Sequence, residues 1–312
     1  MESAKGRALG LVLWTALVCT SILAADACAT VSKIRIPLPG GDALPAYCFL
    51  PNKPATHRLP VVIVGVGVIS QEIYQYQVHC ECLANRGFLV LLIDPSNYPE
   101  HLGPGPIDWD RGIGYAQGSV NQVVVATRLA FDTDWYLRSI KAVVDHVSMW
   151  PIADPTRIVF SGHSQPANAA LTYACKDPRI KAVVWNYGGY PWIMPYQPLM
   201  LPPVAIFHGT EDEVYDVKYA HELATELYTH AKYVEAYIYP HQKHMFNVYF
   251  DPRKETRAMK PALLDSFERL VSFLYRTLQI QPPKVAEKKR PRQVQAGRTG
   301  NSRAMASGPS IW

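Results

Sequence analysis

The sequence predicts an α/β fold, in which a mainly parallel β-sheet is covered by helices on both faces. Two continuous apolar runs, 59–68 and 88–93, are typical of strands that are buried on both faces. Such runs alternate with segments whose apolar residues recur at helical spacing, a pattern that favours parallel strands joined by helices. With 312 residues, 48% hydrophobic and 18% charged, the chain can bury a large core, which excludes collagen, coiled coil and wholesale disorder.

Each predicted element has a local signal. A hairpin is indicated where two apolar segments flank the turn residues Pro39-Gly40-Gly41-Asp42. Helices carry apolar residues three or four positions apart and end at a glycine or a proline, such as Gly87 or Pro151. In chain order, the predicted elements are strands 32–38, 44–50 and 59–68, helix 71–85, strand 88–93, helix 135–150, strand 157–160, helix 166–175, strands 180–185 and 204–208, helix 217–228, strand 233–239 and helix 256–278.

Segment 95–134 is the exception, because it contains several glycines and prolines and no clear period. An element-free stretch of this length in a compact domain is usually functional, and 120–131 is a candidate helix within it. The sequence contains no internal repeat. We therefore predict one α/β domain that spans residues 28–280.

The N-terminal 27 residues are typical of a secretory signal peptide. Lys5 and Arg7 precede an uncharged apolar run over 8–23, and small residues follow at 24–27. This run of about 16 residues is shorter than the roughly 20 that span a bilayer. We therefore expect an exported protein, periplasmic or secreted, with lipid attachment at Cys28 as the alternative.

The C-terminal segment 281–312 is a basic tail. It holds seven Lys and Arg residues against Glu287, a charge of 7 − 1 = +6, whereas the whole chain carries +5. The remaining chain is thus close to neutral and offers no footprint for nucleic acid. The tail contains few large apolar residues, so we predict that it is disordered and that its charge favours contact with anionic surfaces.

Cysteine usage indicates neither a metal site nor a defined disulfide framework. Once the leader is removed, five cysteines remain, so two disulfides at most are possible. Cys80-Glu81-Cys82 has no second pair of ligands nearby in sequence, and residues two apart on a helix point away from each other. We predict buried free cysteines and no metal or other cofactor.

The segment 157–170 carries the strongest chemical signal. It reads as a strand, a tight turn at Gly162-His163-Ser164 and a helix, which is the context of a nucleophile elbow. The usual pattern is G-x-S-x-G, and here Pro166 replaces the second glycine. Proline is tolerated in the first turn of a helix. Gln165 keeps the backbone N–H that an oxyanion hole requires. An N-cap role for Ser164 is the alternative, and His163 is expected to pack against neighbouring strands.

A serine nucleophile requires a base and an acid, and both follow in the order serine, acid, histidine. His241 and His244 follow strand 233–239, and reach favours His244 because it lies further along the loop. His208 is expected to order the turn near the acid. The candidate acids after strand 204–208 are Glu211, Asp212, Glu213 and Asp216. The carboxyl ends of parallel strands share one edge of a sheet, so these groups are expected to meet there.

From residue 60 to 278 the sequence resembles the dienelactone hydrolase family of the α/β-hydrolase superfamily. The resemblance rests on Gly162-His163-Ser164, on 182–189, on His208-Gly209-Thr210-Glu211-Asp212-Glu213-Val214, and on Tyr239-Pro240 with His244 and Phe246. It implies an α/β-hydrolase fold and a Ser164–Asp212–His244 triad. Typical members have a cysteine nucleophile and a glutamate after the first central strand, whereas this chain has Ser164 and no acid over 61–67. The chain is also similar to exported serine esterases, which implies a second oxyanion N–H near Val68.

An aromatic cluster follows the elbow in the sequence. Trp185 ends strand 180–185, Tyr187 follows it, and Gly188-Gly189 cannot continue it. We interpret both rings as a substrate wall, with core packing as the alternative. The predicted function is an exported serine hydrolase that cleaves small-molecule or polymeric carboxylic esters. The alternatives are a serine peptidase of the prolyl-oligopeptidase type and a non-catalytic binding protein that keeps the fold.

Overall fold

An eight-stranded sheet forms the centre of the structure, a computed structural model that describes residues 29–39, 41, 43–52, 57–66, 74–94, 133–189, 196–248 and 261–281. The predicted leader, the candidate helix 120–131 and the basic tail lie outside the described residues. All described residues belong to one unit that spans Met1–Pro282.

The sheet has the strand order β1-β2-β4-β3-β5-β6-β7-β8. Strand β1 pairs antiparallel with β2, which pairs antiparallel with β4, and all other neighbours are parallel. The strands are β1 Thr30–Pro37, β2 Ala43–Leu50, β3 Leu59–Gly65, β4 Leu89–Ile93, β5 Ala153–His163, β6 Ile180–Asn186, β7 Val204–Gly209 and β8 Val234–Tyr239. The helices are α1 Tyr74–Asn85, α2 Thr133–Ser148, α3 Gln165–Ala174, α4 Lys218–Thr229 and α5 Pro261–Thr277, with a short 3-10 turn at Pro198–Met200.

The core lies on both faces of this sheet, as the continuous apolar runs predict. Along β3, Val61 and Ile63 pack into one cluster while Val62 and Val64 pack into the other. Helices α2, α3 and α4 cover the first face, and α1 and α5 cover the second. The predicted α/β fold with a mainly parallel, doubly covered sheet is confirmed.

Strand β5 is longer than the sequence predicts, because it begins at Ala153 instead of residue 157. Asp154 and Pro155 are typical of turns, but Ala153 pairs with Leu59 on β3 before the register shifts. The Asp154 carboxylate accepts hydrogen bonds from the Thr156 N–H at 2.9 Å and from Arg157 at 2.6 Å. Hydrogen bonds to the Asp154 side chain therefore stabilise this irregular start of the strand.

The topology brings four chain segments to one edge of the sheet. Strands β5, β6, β7 and β8 are adjacent and parallel, so the residues that follow their carboxyl ends meet there. The elbow follows β5, the acidic loop follows β7 and the histidine loop follows β8. Among the described helices, none combines the length and apolar character that a membrane crossing requires. Cys48, Cys80, Cys82 and Cys175 are free thiols.

Two buried imidazoles lie beneath this edge. The ring centroid of His79, on α1, is 5.7 Å from that of His163 and 5.7 Å from that of Phe267. Burial lowers the pKa of His79 to about 4. Burial, with the nearby charges of His79 and His244, holds the pKa of His163 well below its usual range. Both rings are therefore neutral in the folded protein near neutral pH.

These imidazoles make the stability of the fold sensitive to acid. Below about pH 6.5 the unfolded chain binds protons at both rings and the folded chain does not, so the free energy of unfolding falls as the pH falls towards about 4. His79→Leu removes the proton that the unfolded chain would bind at this ring. The slope of the free energy of unfolding against pH should therefore decrease over pH 5–6 by about 1.4 kcal/mol per pH unit. Urea unfolding across this range measures the slope, and His221→Leu controls for the loss of an exposed imidazole. Equal slopes in the wild type and His79→Leu would contradict this account.

Candidate active site

The turn between β5 and α3 holds Ser164 in a strained backbone conformation. Its φ is 64° and its ψ is −128°, a region that non-glycine residues rarely occupy. The Ser164 N–H donates to the Asn186 carbonyl at 2.9 Å, and its carbonyl accepts from the Ala167 N–H at 3.0 Å. Ser164 occupies the N-cap position of α3, but its hydroxyl makes no capping hydrogen bond there and is available to another partner.

Close backbone approach explains the residue types around this turn. A Cβ at Gly162 would lie 2.3 Å from the Pro166 carbonyl oxygen and 2.5 Å from the Ala167 nitrogen, so only glycine fits. Pro166 occupies the first turn of α3, where its missing N–H has no intrahelical acceptor. A Cβ at Gly65 would lie 3.2 Å from the Pro166 Cβ. Such a Cβ would lie closer still, 2.9 Å, to the Phe160 ring, so Gly65 leaves room for both rings beside β3.

The structure brings Ser164, His244 and Asp212 into one hydrogen-bonded series. The His244 Nε2 lies 3.1 Å from the Ser164 Oγ, and the His244 Nδ1 lies 2.8 Å from the Asp212 Oδ2. A carboxylate accepts, so Nδ1 carries the proton that is donated to Asp212 and Nε2 is left to accept from the serine hydroxyl. The Asp212 side chain is fully buried and that of His244 is 7% exposed. These are the three residues that the resemblance implies for the triad.

The Asp212 carboxylate is saturated with donors. Its Oδ1 accepts the N–H groups of Val214 and Tyr215, each at 2.9 Å, and its Oδ2 lies 3.3 Å from the His208 Nε2. Burial alone would raise the pKa of Asp212, but the hydrogen bonds from His208, His244 and the Tyr215 N–H, with the charge of His244, hold it well below its usual range. Asp212 is therefore ionised near neutral pH.

His208 orders the acidic turn, as the sequence predicts. Its Nε2 lies 2.9 Å from the Tyr215 carbonyl oxygen. Because a carbonyl oxygen can only accept, Nε2 carries the proton and also points it towards Asp212. The His208 Nδ1 is buried and has no hydrogen-bond partner among the described residues. The ring therefore donates from Nε2 and holds the loop after β7 closed around the carboxylate.

The other candidate acids make surface contacts. Glu211 bonds to His241 at 2.7 Å, and Glu213 pairs with Lys243 at 2.9 Å. Asp216 accepts the Lys218 N–H at 2.9 Å at the start of α4. None of these three carboxylates contacts His244 within the described part of the chain. Of the four candidate acids, Asp212 is thus the one whose carboxylate contacts His244.

The two candidate bases, His241 and His244, lie in different surroundings. The His241 side chain is 85% exposed and faces Glu211, away from Ser164. A Cβ at Gly209 would lie 2.1 Å from the Gln242 carbonyl oxygen, so a glycine there allows the histidine loop to close against β7. The Glu211 N–H donates to that same oxygen at 2.9 Å. This closure carries His244 over the edge of the sheet to Ser164.

A buried polar layer beneath the series escaped the sequence analysis. The Asn247 Nδ2 donates to the Asn186 Oδ1 at 2.8 Å, and the Asn186 Nδ2 donates to the Gly162 carbonyl at 3.0 Å. The layer ties the histidine loop to β6 and the elbow. The Tyr187 hydroxyl lies 2.7 Å from the His163 Nδ1, and its ring centroid is 4.7 Å from that of His244. No spacing in the sequence marks Asn186 or Asn247, because their partners are distant along the chain.

The two aromatic residues predicted as a substrate wall are buried. Trp185 is 1% exposed, donates its indole N–H to the Asn168 Oδ1 at 3.0 Å and lies with its ring 5.7 Å from that of His208. A Cβ at Gly188 would lie 2.4 Å from the indole. Tyr187 is 0% exposed. These contacts are those of packing residues, the alternative that the sequence left open, and a contact with substrate stays a prediction.

The predicted oxyanion donors are described in part. Gln165 is the first residue of α3, where N–H groups lack intrahelical acceptors, and it directly follows Ser164. Val68 lies outside the described residues. The Gln165 Oε1 accepts a 2.8 Å hydrogen bond from the hydroxyl of Tyr215, a residue that the sequence analysis did not single out. The described residues contain no group of three or more His, Cys, Asp and Glu side chains arranged to hold a metal ion.

Comparison with known proteins gives a family match and several structural relatives. A sequence model of the dienelactone hydrolase family matches residues 44–278. The comparison with curated proteins gave no match. P91, a dienelactone hydrolase-like promiscuous phosphotriesterase from metagenomic libraries, is 15% identical, with a TM-score of 0.63 over 80% of this chain and 99% of its own.

Two further relatives carry other activities in their descriptions. A thermophilic esterase from Thermogutta terrifontis is 16% identical, with a TM-score of 0.56 over 81% of this chain and 96% of its own. A puromycin-hydrolysing peptidase from Mycobacterium tuberculosis is 16% identical, with a TM-score of 0.60 over 82% of this chain and 40% of its own. At these identities the likeness shows the fold alone.

Replacing each of the two histidines by alanine tests which one is the base for Ser164. His244→Ala removes the only imidazole that contacts Ser164 within the described structure, so we expect kcat on an activated ester to fall by about four orders of magnitude. His241→Ala removes an exposed contact to Glu211 and should cost about tenfold or less. Steady-state kinetics on one activated ester measures both. The reverse ranking would reassign the base.

The fit of Pro166 beside Gly65 can be tested separately. Pro166→Gly frees the unfolded chain and removes a buried ring, so we expect the free energy of unfolding to fall by about 1 kcal/mol. We expect kcat to stay within about tenfold, because the N–H restored in the first turn does not alter the elbow. Urea unfolding and ester kinetics measure the two quantities. A gain in both would show instead that the proline strains the turn.

Proposed function

We propose that this chain, which belongs to the dienelactone hydrolase family, hydrolyses carboxylic esters through an acyl-enzyme on Ser164. The observation that carries the proposal is the series from the Ser164 Oγ through His244 to Asp212, with contacts of 3.1 Å and 2.8 Å. It is supported by the strained φ of Ser164, which is typical of a nucleophile elbow. Membership of a hydrolase family and the fold shared with esterases agree with it.

In the acylation half, the Ser164 Oγ attacks the ester carbonyl carbon while its proton passes to the His244 Nε2. The carbonyl oxygen becomes an oxyanion that the Gln165 N–H, with a donor near Val68, would stabilise by about 3 kcal/mol per donor. Asp212 accepts the Nδ1–H of His244 and stabilises the imidazolium without taking its proton, since its pKa lies well below the usual range. His244 then gives the Nε2 proton to the departing alkoxide, which leaves as the alcohol.

In the deacylation half, water replaces the alcohol. His244 takes a proton from the water as its oxygen attacks the acyl carbon, and a second oxyanion forms in the same position. Its collapse breaks the bond to the Ser164 Oγ, which recovers its proton from the His244 Nε2. One ester and one water thus give one carboxylic acid and one alcohol, and the protein returns to its starting state.

Ester hydrolysis is favoured over peptide hydrolysis by the extent of the likeness. This chain covers 96% of the Thermogutta terrifontis esterase, but 40% of the Mycobacterium tuberculosis peptidase. It thus spans less than half of the peptidase. We also propose that the protein is exported, on the basic, apolar and small-residue order of residues 1–27.

A fluorophosphonate probe followed by intact mass tests the proposal. An activated serine attacks the phosphorus and expels fluoride, so we expect one adduct on the wild type and none on Ser164→Ala. For protein recovered from the medium or periplasm, the same mass reports whether residues up to about 27 have been removed. An absent wild-type adduct would favour the non-catalytic binding protein. An adduct without ester hydrolysis, but with peptide cleavage, would favour the peptidase.

A further inference from the structure

We propose that the side-chain amide of Gln165, held in place by Tyr215, is a substrate-binding group that donates a hydrogen bond to a second oxygen of the ester. This inference rests on the proposed ester hydrolysis and specifies its substrate class. The favoured esters carry an ether, hydroxyl or carbonyl oxygen close to the scissile carbonyl.

The first observation is the hydrogen bonding of the Gln165 side-chain amide. Gln165 directly follows Ser164 and is 7% exposed, yet only its Oε1 is engaged, by the Tyr215 hydroxyl at 2.8 Å. The amide nitrogen makes no hydrogen bond within the described residues, although it carries two N–H donors. Unlike the His79 Nε2, it does not belong to the fully buried unpartnered atoms. A largely buried donor beside the nucleophile thus remains open to an incoming acceptor.

The second observation is that Tyr215 is itself immobilised. Its N–H donates to the Asp212 Oδ1 at 2.9 Å, and its ring centroid is 5.8 Å from that of His244. The ring presses on the backbone at Gly189, where a Cβ would lie 2.5 Å from a ring carbon. Tyr215 is therefore fixed by the same loop that holds the acid. Its hydroxyl can hold the amide oxygen of Gln165 without moving away.

Together these contacts orient the amide. In the observed arrangement the phenol donates to Oε1, so the nitrogen is presented on the opposite side. A flipped amide would instead donate to the phenol oxygen and present Oε1 on that side. Amide N–H groups recognise acceptors only, so the group selects an uncharged or anionic oxygen and rejects a cation. An ester whose nearest substituent is a plain alkyl chain leaves these donors unpaired. An ester with an oxygen at that place satisfies them.

The proposal can be tested with substrates that differ in one atom. On the acyl side, p-nitrophenyl methoxyacetate and p-nitrophenyl butyrate have the same length and leaving group, and an ether oxygen replaces one methylene. On the alcohol side, 2-methoxyethyl acetate and butyl acetate form the same kind of pair, followed by titration of the released acid. The measured quantity is the ratio of kcat/KM for the oxygen-containing ester to that for its alkyl partner.

We expect Gln165→Met, which keeps the length and removes the donors, to lower this ratio about 5- to 10-fold in at least one pair. Tyr215→Phe should lower the same ratio about 2- to 5-fold, since the amide remains but loses its fixed orientation. Glu213→Gln, an exposed change in the same loop, is the matched control and should leave the ratio unchanged. The ratio cancels the fraction of active protein, and its comparison between variants cancels the inherent reactivity of each ester.

Failure of this proposal and failure of ester hydrolysis give different results. If the wild type hydrolyses these esters but Gln165→Met leaves the ratio of both pairs unchanged, the amide has no role in recognition. If Gln165→Met lowers the ratio and Tyr215→Phe does not, the proposed orientation by Tyr215 is wrong. If the wild type hydrolyses none of the four esters, the proposed function itself fails.

Discussion

The buried carboxylate of Asp212 is the group on which the arrangement of the site depends. An ionised carboxylate in a dry environment is costly unless every lone pair has a donor. Here two backbone N–H groups reach Oδ1, and the imidazoles of His208 and His244 reach Oδ2. The loop after β7 must fold back towards His208 on that strand so that the first three donors meet at the carboxylate, and the loop after β8 must close over it to provide the fourth. Satisfying one charge therefore fixes the position of both loops.

The sheet makes that closure possible because its parallel strands end at one edge. Ser164 follows β5, Asp212 follows β7 and His244 follows β8, so strands of one parallel run present all three at the same edge. Two glycines allow the backbone to approach closely enough. Gly162 admits the start of α3 beneath the elbow, and Gly209 admits the Gln242 carbonyl beside β7. Larger residues at either position would push apart the loops that carry Ser164, Asp212 and His244.

Buried neutral polar groups pack beneath the hydrogen-bonded series of Ser164, His244 and Asp212. His163 is buried and its pKa lies well below its usual range, so it places no positive charge beside His244. It can therefore engage the Tyr187 hydroxyl while the Tyr187 ring packs against His244. The Asn186–Asn247 hydrogen bond fastens the same loop to β6. On the outer side, Tyr215 connects the acid loop to Gln165. The imidazole of His244 is thus flanked by Tyr187 and Tyr215, and its Nδ1–H donates to Asp212.

By itself, the sequence determined the α/β class, nearly every strand and helix, the elbow and the order of serine, acid and histidine. Each of these is written in local patterns: continuous apolar runs, helical spacing, and turn residues at strand ends. Choosing Asp212 and His244 by residue pattern required a family resemblance or an argument from reach. Only the tertiary structure separated them physically from Glu211, Glu213, Asp216 and His241. It also decided that Trp185 packs against His208, and that Asn186, Asn247 and Tyr215 belong to the site. The physical reason is that these assignments depend on hydrogen bonds between residues 32, 50, 61 and 80 positions apart, and contacts at such separations exist only once the sheet has brought its strand ends together.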